Sequence, residues 1–292
     1  MASFGAASTA EEVTEGIDLS GRVYVLTGCN SGIGEETLRV LGLRGAEVIG
    51  LARTAAKAQA ALDKHGVAGT AVACDLSDPD SVRAAVATVR GLGRRLSGII
   101  ANAGIMALPE PRTTLGLDLQ FLTNHIGHFI LVTGLVDLLT DDGRVVMVSS
   151  GAHFMAPEVG IEFDNLSGQR GYHPWRTYGQ SKLANLLTAK VLAGRLGDGQ
   201  TANAIHPGVI QTNLGRHLDD YEGVLDSVGR DNLKTVGQGA ATQVFVAVHP
   251  DAAALTGLYF QDCKVKEPSA AAQDEALAER LWAVSEELVA GL

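Results

Sequence analysis

Tyr178 and Lys182, at the ends of the stretch YGQSK, set a phenol four residues ahead of an ammonium group. On a helix that spacing puts both side chains on one face. A free phenol titrates near about 10 and is a poor base at neutral pH, but a positive charge held close to it favours the phenolate. The pair could therefore shuttle a proton, or it could be two solvated residues at helical spacing, and the pentapeptide alone favours the second reading. Other reactive types are weaker candidates. His125, His128, His153, His206 and His217 show no HxxxH or HExxH spacing, which argues against a metal site. His125 and His128 fall on a long helical pattern, where packing or a buried hydrogen bond is the expected role. His153 follows a Ser-Ser pair closely and is a candidate for lining a substrate pocket. No G-x-S-x-G turn precedes a helix, so a Ser-His-Asp hydrolase is disfavoured.

A second chemistry-bearing stretch is TGCNSGIG, Thr27 to Gly34, which follows an apolar run and opens a helical pattern. Gly28 permits a tight turn, Gly32 lets backbone N–H groups approach a pyrophosphate, and Gly34 lets the helix pack close to the sheet. Asn30, Ser31 and Ile33 complete the candidate phosphate turn. The next apolar run ends at Ala52 and Arg53 with no carboxylate, which favours NADP(H) over NAD(H), although Arg53 could also be a solvated charge at a helix entry. Asp75, followed by Leu76, could accept from an adenine amino group or cap its own turn.

These residues need a scaffold, and the chain supplies one. Short apolar runs at 22–28, 46–52, 70–76, 96–104, 143–150, 200–208 and 257–262 alternate with helix-length patterns. Strands apolar throughout and separated by helices predict a parallel sheet covered on both faces. The expectation is a single-domain doubly wound α/β (Rossmann) fold with a seven-stranded parallel sheet over residues 17–292, preceded by a mobile leader at 1–16. Segments 151–174 and 209–235 lack periodicity and follow strand ends, where such sheets bind ligands, so both are candidate substrate loops. In the second, Leu214, Leu218, Tyr221, Val224, Leu225 and Val228 suggest an amphipathic lid over an apolar pocket, or a face packed on the core.

Composition narrows the function classes. The 292 residues carry a formal charge of -10 with no basic run, which disfavours nucleic acid and anionic membranes as partners. Cys29, Cys74 and Cys263 are odd in number and lack CxxC spacing, which points to a reducing, cytoplasmic setting without disulfides or a metal. No apolar stretch of membrane-spanning length is present.

TGCNSGIG, ANAG (101–104), NHIGHF (124–129), VSS (148–150), YGQSK and HPG (206–208), in that order, resemble the classical short-chain dehydrogenase/reductase family. GIDLSGRVYVLTGCNSGIG, SKLANLL, HPGVIQTNL and YFQDCKVKEPS resemble its branch of retinol dehydrogenases and WW-domain oxidoreductases. The resemblance implies a catalytic set of Asn124, Ser150 (or Ser149), Tyr178 and Lys182. It implies cofactor contacts at Asn102, Ala103, Gly104, Pro207, Gly208, Val209 and Thr212, besides the phosphate turn, Tyr178 and Lys182. Its chemistry would be hydride transfer between NADP(H) and a secondary alcohol, ketone or aldehyde. Ser150 would donate to the substrate oxygen, Tyr178 would act as general acid/base, Lys182 would lower its pKa and bind the ribose, and Asn124 would hold a relay water. His153, Leu214 and Leu218 are the candidate substrate contacts. A small-molecule carbonyl or alcohol is the expected partner, with a homodimer or homotetramer through helices near 113–139 and 176–197. An epimerase or dehydratase of related fold and a non-catalytic nucleotide sensor are the competing readings. No Arg or Lys precedes Gly32, so the NADP(H) expectation rests on Arg53.

Overall fold

The computed structural model describes residues 4–210, 222–223, 226 and 229–292. Every apolar run becomes a strand: β1 (Val23–Thr27), β2 (Glu47–Ala52), β3 (Gly69–Ala73), β4 (Leu96–Ala101), β5 (Leu139–Val148), β6 (Thr201–His206) and β7 (Tyr259–Gln261). These seven are parallel, and an eighth, β8 (Lys264–Lys266), pairs antiparallel with β7. The order across the sheet is β8-β7-β6-β5-β4-β1-β2-β3. The doubly wound fold is as expected; the eighth strand is an addition. It was hidden because three residues reading KVK, all exposed, present no apolar run.

Helices cover both faces, which is why β1 and β4 are buried along their whole lengths. On one side α1 (Gly32–Leu43), α2 (Ala55–His65) and α6 (Val236–Val248) pack around Leu38, Leu62 and Val244. On the other lie α3 (Pro79–Gly91), α5 (Pro174–Ala193), α7 (Glu275–Gly291) and α4. Helix α4 runs through three consecutive segments, Leu119–Phe121, a π-helical turn at Leu122–Ile126, and Gly127–Thr133. Local signals fix where these helices begin. Thr54 caps α2, Asp78 followed by proline caps α3, Asp118 accepts from Gln120 N and Phe121 N at the start of α4, and His173 followed by Pro174 starts α5.

Helix α7 lies along α5 and reaches α4, where Ser285 meets His125 at 2.8 Å and Trp282 meets Phe129 ring to ring at 4.9 Å. Part of the face expected to join two subunits is therefore covered from within the chain. No helix among the described residues is long and apolar enough to cross a membrane.

Part of the 1–16 leader packs on the domain. Ala10 and Val13 are buried beside α6, and Ala10 N donates to Gly237 O at 2.8 Å. Arg44 reaches back to Glu11 O at 2.8 Å and to the Thr14 hydroxyl at 3.0 Å. Phe4 adds ring contacts to Phe245 and His249 at 6.0 and 5.4 Å, and Arg39 and Arg44 supply polar contacts from α1 and just after it. Removing residues 1–16 is expected to lower unfolding stability in urea by about 2–4 kcal/mol, the scale of burying two or three small apolar side chains. An unchanged midpoint would show the leader to be dispensable.

Candidate active site

The carboxyl ends of β1 to β6 open into one cleft of about 840 Å³. Its floor is the glycine turn. Gly28 and Gly32 have φ of +68° and +55°, and a Cβ on Gly28 would lie 3.0 Å from Ala103 Cβ. A Cβ on Gly34 would strike the Gly28 carbonyl, so α1 can approach β1 only with glycine there. Ser31, the N-cap of α1, makes no side-chain cap bond, which leaves the first-turn N–H groups facing the cleft. Asn102 Nδ2 donates to Thr27 O at 2.9 Å and pins the end of β4 to the turn.

Gly28, Asn30, Ser31, Gly32, Ile33, Arg53, Asp75, Leu76, Asn102, Ala103, Gly104, Pro207, Gly208 and Val209 all line the cleft. Gly34 lies behind it as a packing residue. Asp75 does bond its own turn, with Oδ1 accepting from Ser77 N and Ser77 Oγ, while still facing the cleft. Lys57, one turn into α2, lines the same end as Arg53, and among the described residues neither has an ion-pair partner. Lys57 escaped the sequence reading because only the helix brings it round beside Arg53.

At the other end Ser150, Tyr178 and Lys182 meet. Tyr178 faces Ser150, whose hydroxyl acts to lower the phenol's pKa, and Lys182 Nζ lies 5.8 Å from the Tyr178 ring centre. Ser149 is oriented differently: its hydroxyl donates to Lys182 O at 2.7 Å, so Ser150 is the one of the pair that reaches the phenol. Lys182 Nζ donates to Val148 O at 3.0 Å. Burial pushes the Tyr178 phenol up to about 12, against a smaller lowering by Ser150, and pushes Lys182 down to about 8. The expected lowering of the phenol by Lys182 does not appear; burial prevails and leaves Tyr178 protonated at neutral pH.

Asn124 is fully buried and not on the cleft surface. Its Oδ1 accepts from Ile105 N and its Nδ2 donates to Ile105 O and Ser181 Oγ, each at 2.9 Å. The amide is therefore fully engaged, and what Asn124 has left to offer is its backbone carbonyl. A Cβ on Gly104 would lie 3.1 Å from Asn124 Oδ1 and 3.4 Å from Lys182 Nζ, so both side chains converge on that glycine.

His153 does not line the cleft. It is buried, its Nδ1 donates to Ser150 O at 2.7 Å and its Nε2 accepts from Ser269 N at 3.1 Å. An imidazole three residues after the strand end suits a turn clamp as well as a pocket wall, and here the backbone partners on both sides decide it. The substrate half is lined instead by Met106, Leu108, Leu119, Met155 and Trp175, with Ala152 and Met155 drawn from the candidate loop 151–174. These apolar residues carry no sequence signal of their own. Thr212, Leu214 and Leu218, with the lid residues Tyr221, Val224, Leu225 and Val228, lie outside the described residues.

Burial holds His125 at about 3, His128 at about 4 and His206 at about 4, and lowers His153 as well. Their folded values lie below the unfolded one, so the unfolded chain takes up protons first as pH falls. Stability present above about pH 6.5 is expected to drain away toward about pH 4, by up to about 1.4 kcal/mol per pH unit for each such histidine. Urea unfolding across that range checks this; a flat profile would contradict it. His153→Ala is expected to cost about 1–3 kcal/mol by stranding two backbone groups, with little change in substrate preference.

Comparison with known proteins agrees with this geometry. The model of the short chain dehydrogenase family matches residues 22–223. The chain is 41% identical to short-chain dehydrogenase TIC 32 B, chloroplastic, of Brassica napus, over 99% of this chain and 95% of that one. It is 39% identical to retinol dehydrogenase 12 of Mus musculus, over 94% and 89%. With the human WW domain-containing oxidoreductase it shares 37% identity, over 98% of this chain and 72% of that one. Among solved structures, an uncharacterized protein from Mycobacterium paratuberculosis superposes with a TM-score of 0.77 at 33% identity, covering 95% and 96% of the two chains. The angucycline C-6 ketoreductase LanV, solved with bound NADP, has a TM-score of 0.68 at 26% identity, covering 84% and 95%. The chain belongs to the short-chain dehydrogenase family of oxidoreductases.

Proposed function

We propose that this protein is an NADP(H)-dependent alcohol dehydrogenase or carbonyl reductase acting on medium-sized hydrophobic alcohols, ketones or aldehydes. The observation that carries the reading is one cleft lined by Arg53 and Lys57 as well as by Ser150, Tyr178 and Lys182. The residues fit such a cofactor. N–H groups at the start of α1 suit a pyrophosphate, and Arg53 and Lys57, without ion-pair partners among the described residues and with no carboxylate at the end of β2, suit a 2′-phosphate. The NADP bound to LanV, a relative in fold and sequence, supports the same choice.

When bound, the nicotinamide supplies or accepts the hydride. Tyr178, protonated at neutral pH, gives its proton to a carbonyl oxygen being reduced, and Ser150 donates a second hydrogen bond to that oxygen as charge develops. In the oxidative direction Tyr178 must first lose its proton, which Lys182 and added positive charge in the cleft assist. Lys182 would also hold the ribose hydroxyls, and Asn124, whose side chain converges with Lys182 on Gly104, would hold a proton-carrying water through its carbonyl. Met106, Leu108, Met155 and Trp175 exclude solvent and favour an apolar substrate body.

A panel of carbonyls and alcohols with purified protein, followed by NADPH absorbance against NADH, tests the proposal. Tyr178→Phe is expected to lower kcat by about 10²- to 10⁴-fold. Replacing Arg53 and Lys57 together by alanine is expected to raise the KM for NADPH about tenfold or more while leaving that for NADH unchanged. Reduction should fall, and oxidation rise, as pH climbs from neutrality through the Lys182 and Tyr178 range. No turnover across the panel, or an active Tyr178→Phe, would remove the assignment.

A further inference from the structure

Behind the cleft runs a chain of buried hydrogen bonds whose donor directions are forced. The Thr27 hydroxyl oxygen accepts from Asn102 N and from Ala103 N, each at 2.9 Å. Both lone pairs are then occupied, so its one proton points at the remaining neighbour, His128 Nε2, at 2.9 Å. His128 Nε2 is therefore an acceptor. At the other side of the ring, Nδ1 lies 2.9 Å from Asn124 O, which can only accept, so Nδ1 carries the hydrogen. The two ends demand the same neutral tautomer independently. A second proton on the ring would face a hydroxyl with no lone pair left. The titratable groups around it, His125 in the same helix and Lys182 across from α5, act electrostatically against its protonation or are themselves held neutral.

The carbonyl that His128 holds belongs to the π-helical turn Leu122–Ile126. Such turns splay their carbonyls out of the regular ladder and recur at functional sites. Asn124 has no other polar atom to spare, because its amide is engaged by Ile105 and Ser181. Asn102 and Ala103, at the far end of the chain, line the cofactor cleft.

We infer that His128 is a positioning residue that fixes the carbonyl of Asn124, the residue whose side chain converges with Lys182 on Gly104, and, through Thr27, ties it to the Asn102–Ala103 wall of the cleft. This deepens the dehydrogenase reading and rests on it for the catalytic consequence. His128 does not line the cleft and acts only through Asn124 and Thr27.

Three variants separate its two bonds. His128→Asn keeps a donor near the Nδ1 position and loses the Thr27 contact; His128→Gln keeps an acceptor near Nε2 and loses the donor; His128→Phe loses both. His128→Phe and His128→Gln are expected to lower kcat about tenfold to 100-fold, the scale of small misplacements behind an active site, with substrate KM changed less than about threefold. They should also displace the pH midpoint of kcat, whereas His128→Asn, which keeps the Asn124 bond and loses only the Thr27 tie, should recover part of the rate and the wild-type midpoint. A readout free of turnover is the titration of Lys182 by NMR of labelled lysine. It is expected to move in His128→Phe and His128→Gln and to stay in His128→Asn. If His128→Phe does not fold, the Asn and Gln variants decide between themselves. Equal kcat, pH midpoint and Lys182 titration in all folded variants, with only melting temperature lowered, would overturn the inference. A wild type without turnover whose Lys182 titration still follows this pattern would sink the dehydrogenase reading and leave the positioning role standing.

Discussion

The carbonyl oxygen of Val148, the last residue of β5, accepts from Lys182 Nζ at 3.0 Å and from Asn185 Nδ2 at 3.1 Å. Together with the Ser149 hydroxyl on Lys182 O, these bonds zip α5 onto the end of β5. A buried ammonium is costly unless its hydrogens are engaged, and a strand-end carbonyl in the sheet interior is costly unless it has partners. Each satisfies the other. Ser150 emerges from the strand side of this seam and Tyr178 from the helix side, one turn before Lys182, so their meeting is a consequence of the seam.

The same economy governs the neighbouring elements. Thr27 ends β1 and holds Asn102 and Ala103 at the end of β4, while Asn124 in α4 holds Ile105 just beyond. Backbone polar groups released where strands stop are thus taken up by side chains from the next element rather than by solvent. Both histidines of the π-helical turn region join in, one bonded to β1 and the other to α7. The position of Asn124 is accordingly set by three elements distant in sequence.

Much of this was legible in the sequence where a residue's own type enforces its surroundings. The seven parallel strands showed as apolar runs because both faces of the sheet are covered, and the glycine turn showed because only glycine tolerates φ of +68° at Gly28 against Ala103. Tyr178, Lys182 and Ser150 were findable as a motif set. What stayed hidden depends on partners. His153 looked like a pocket residue because spacing reveals proximity to Ser150 but not ring direction, which Ser269 fixes from the C-terminal region. Asn124 was named as the holder of a relay water, and the sequence did not show that its side chain is engaged by Ile105 and Ser181. The docked leader was masked by small residues whose burial depends on Arg39 and Arg44 elsewhere.

Strand β8 was another such omission, and its geometry has a bearing on colloidal behaviour. A sheet built of continuous apolar strands ends somewhere, and its last strand is a ready template for pairing with another molecule. Here the chain turns back through Asp262 and Cys263, both with positive φ, and closes that side with three residues, two of them lysine and all exposed. The final rung is short, reversed and charged. A protein otherwise rich in aggregation-competent strands thereby presents, on that border, like charges that repel a second copy before main-chain pairing can begin.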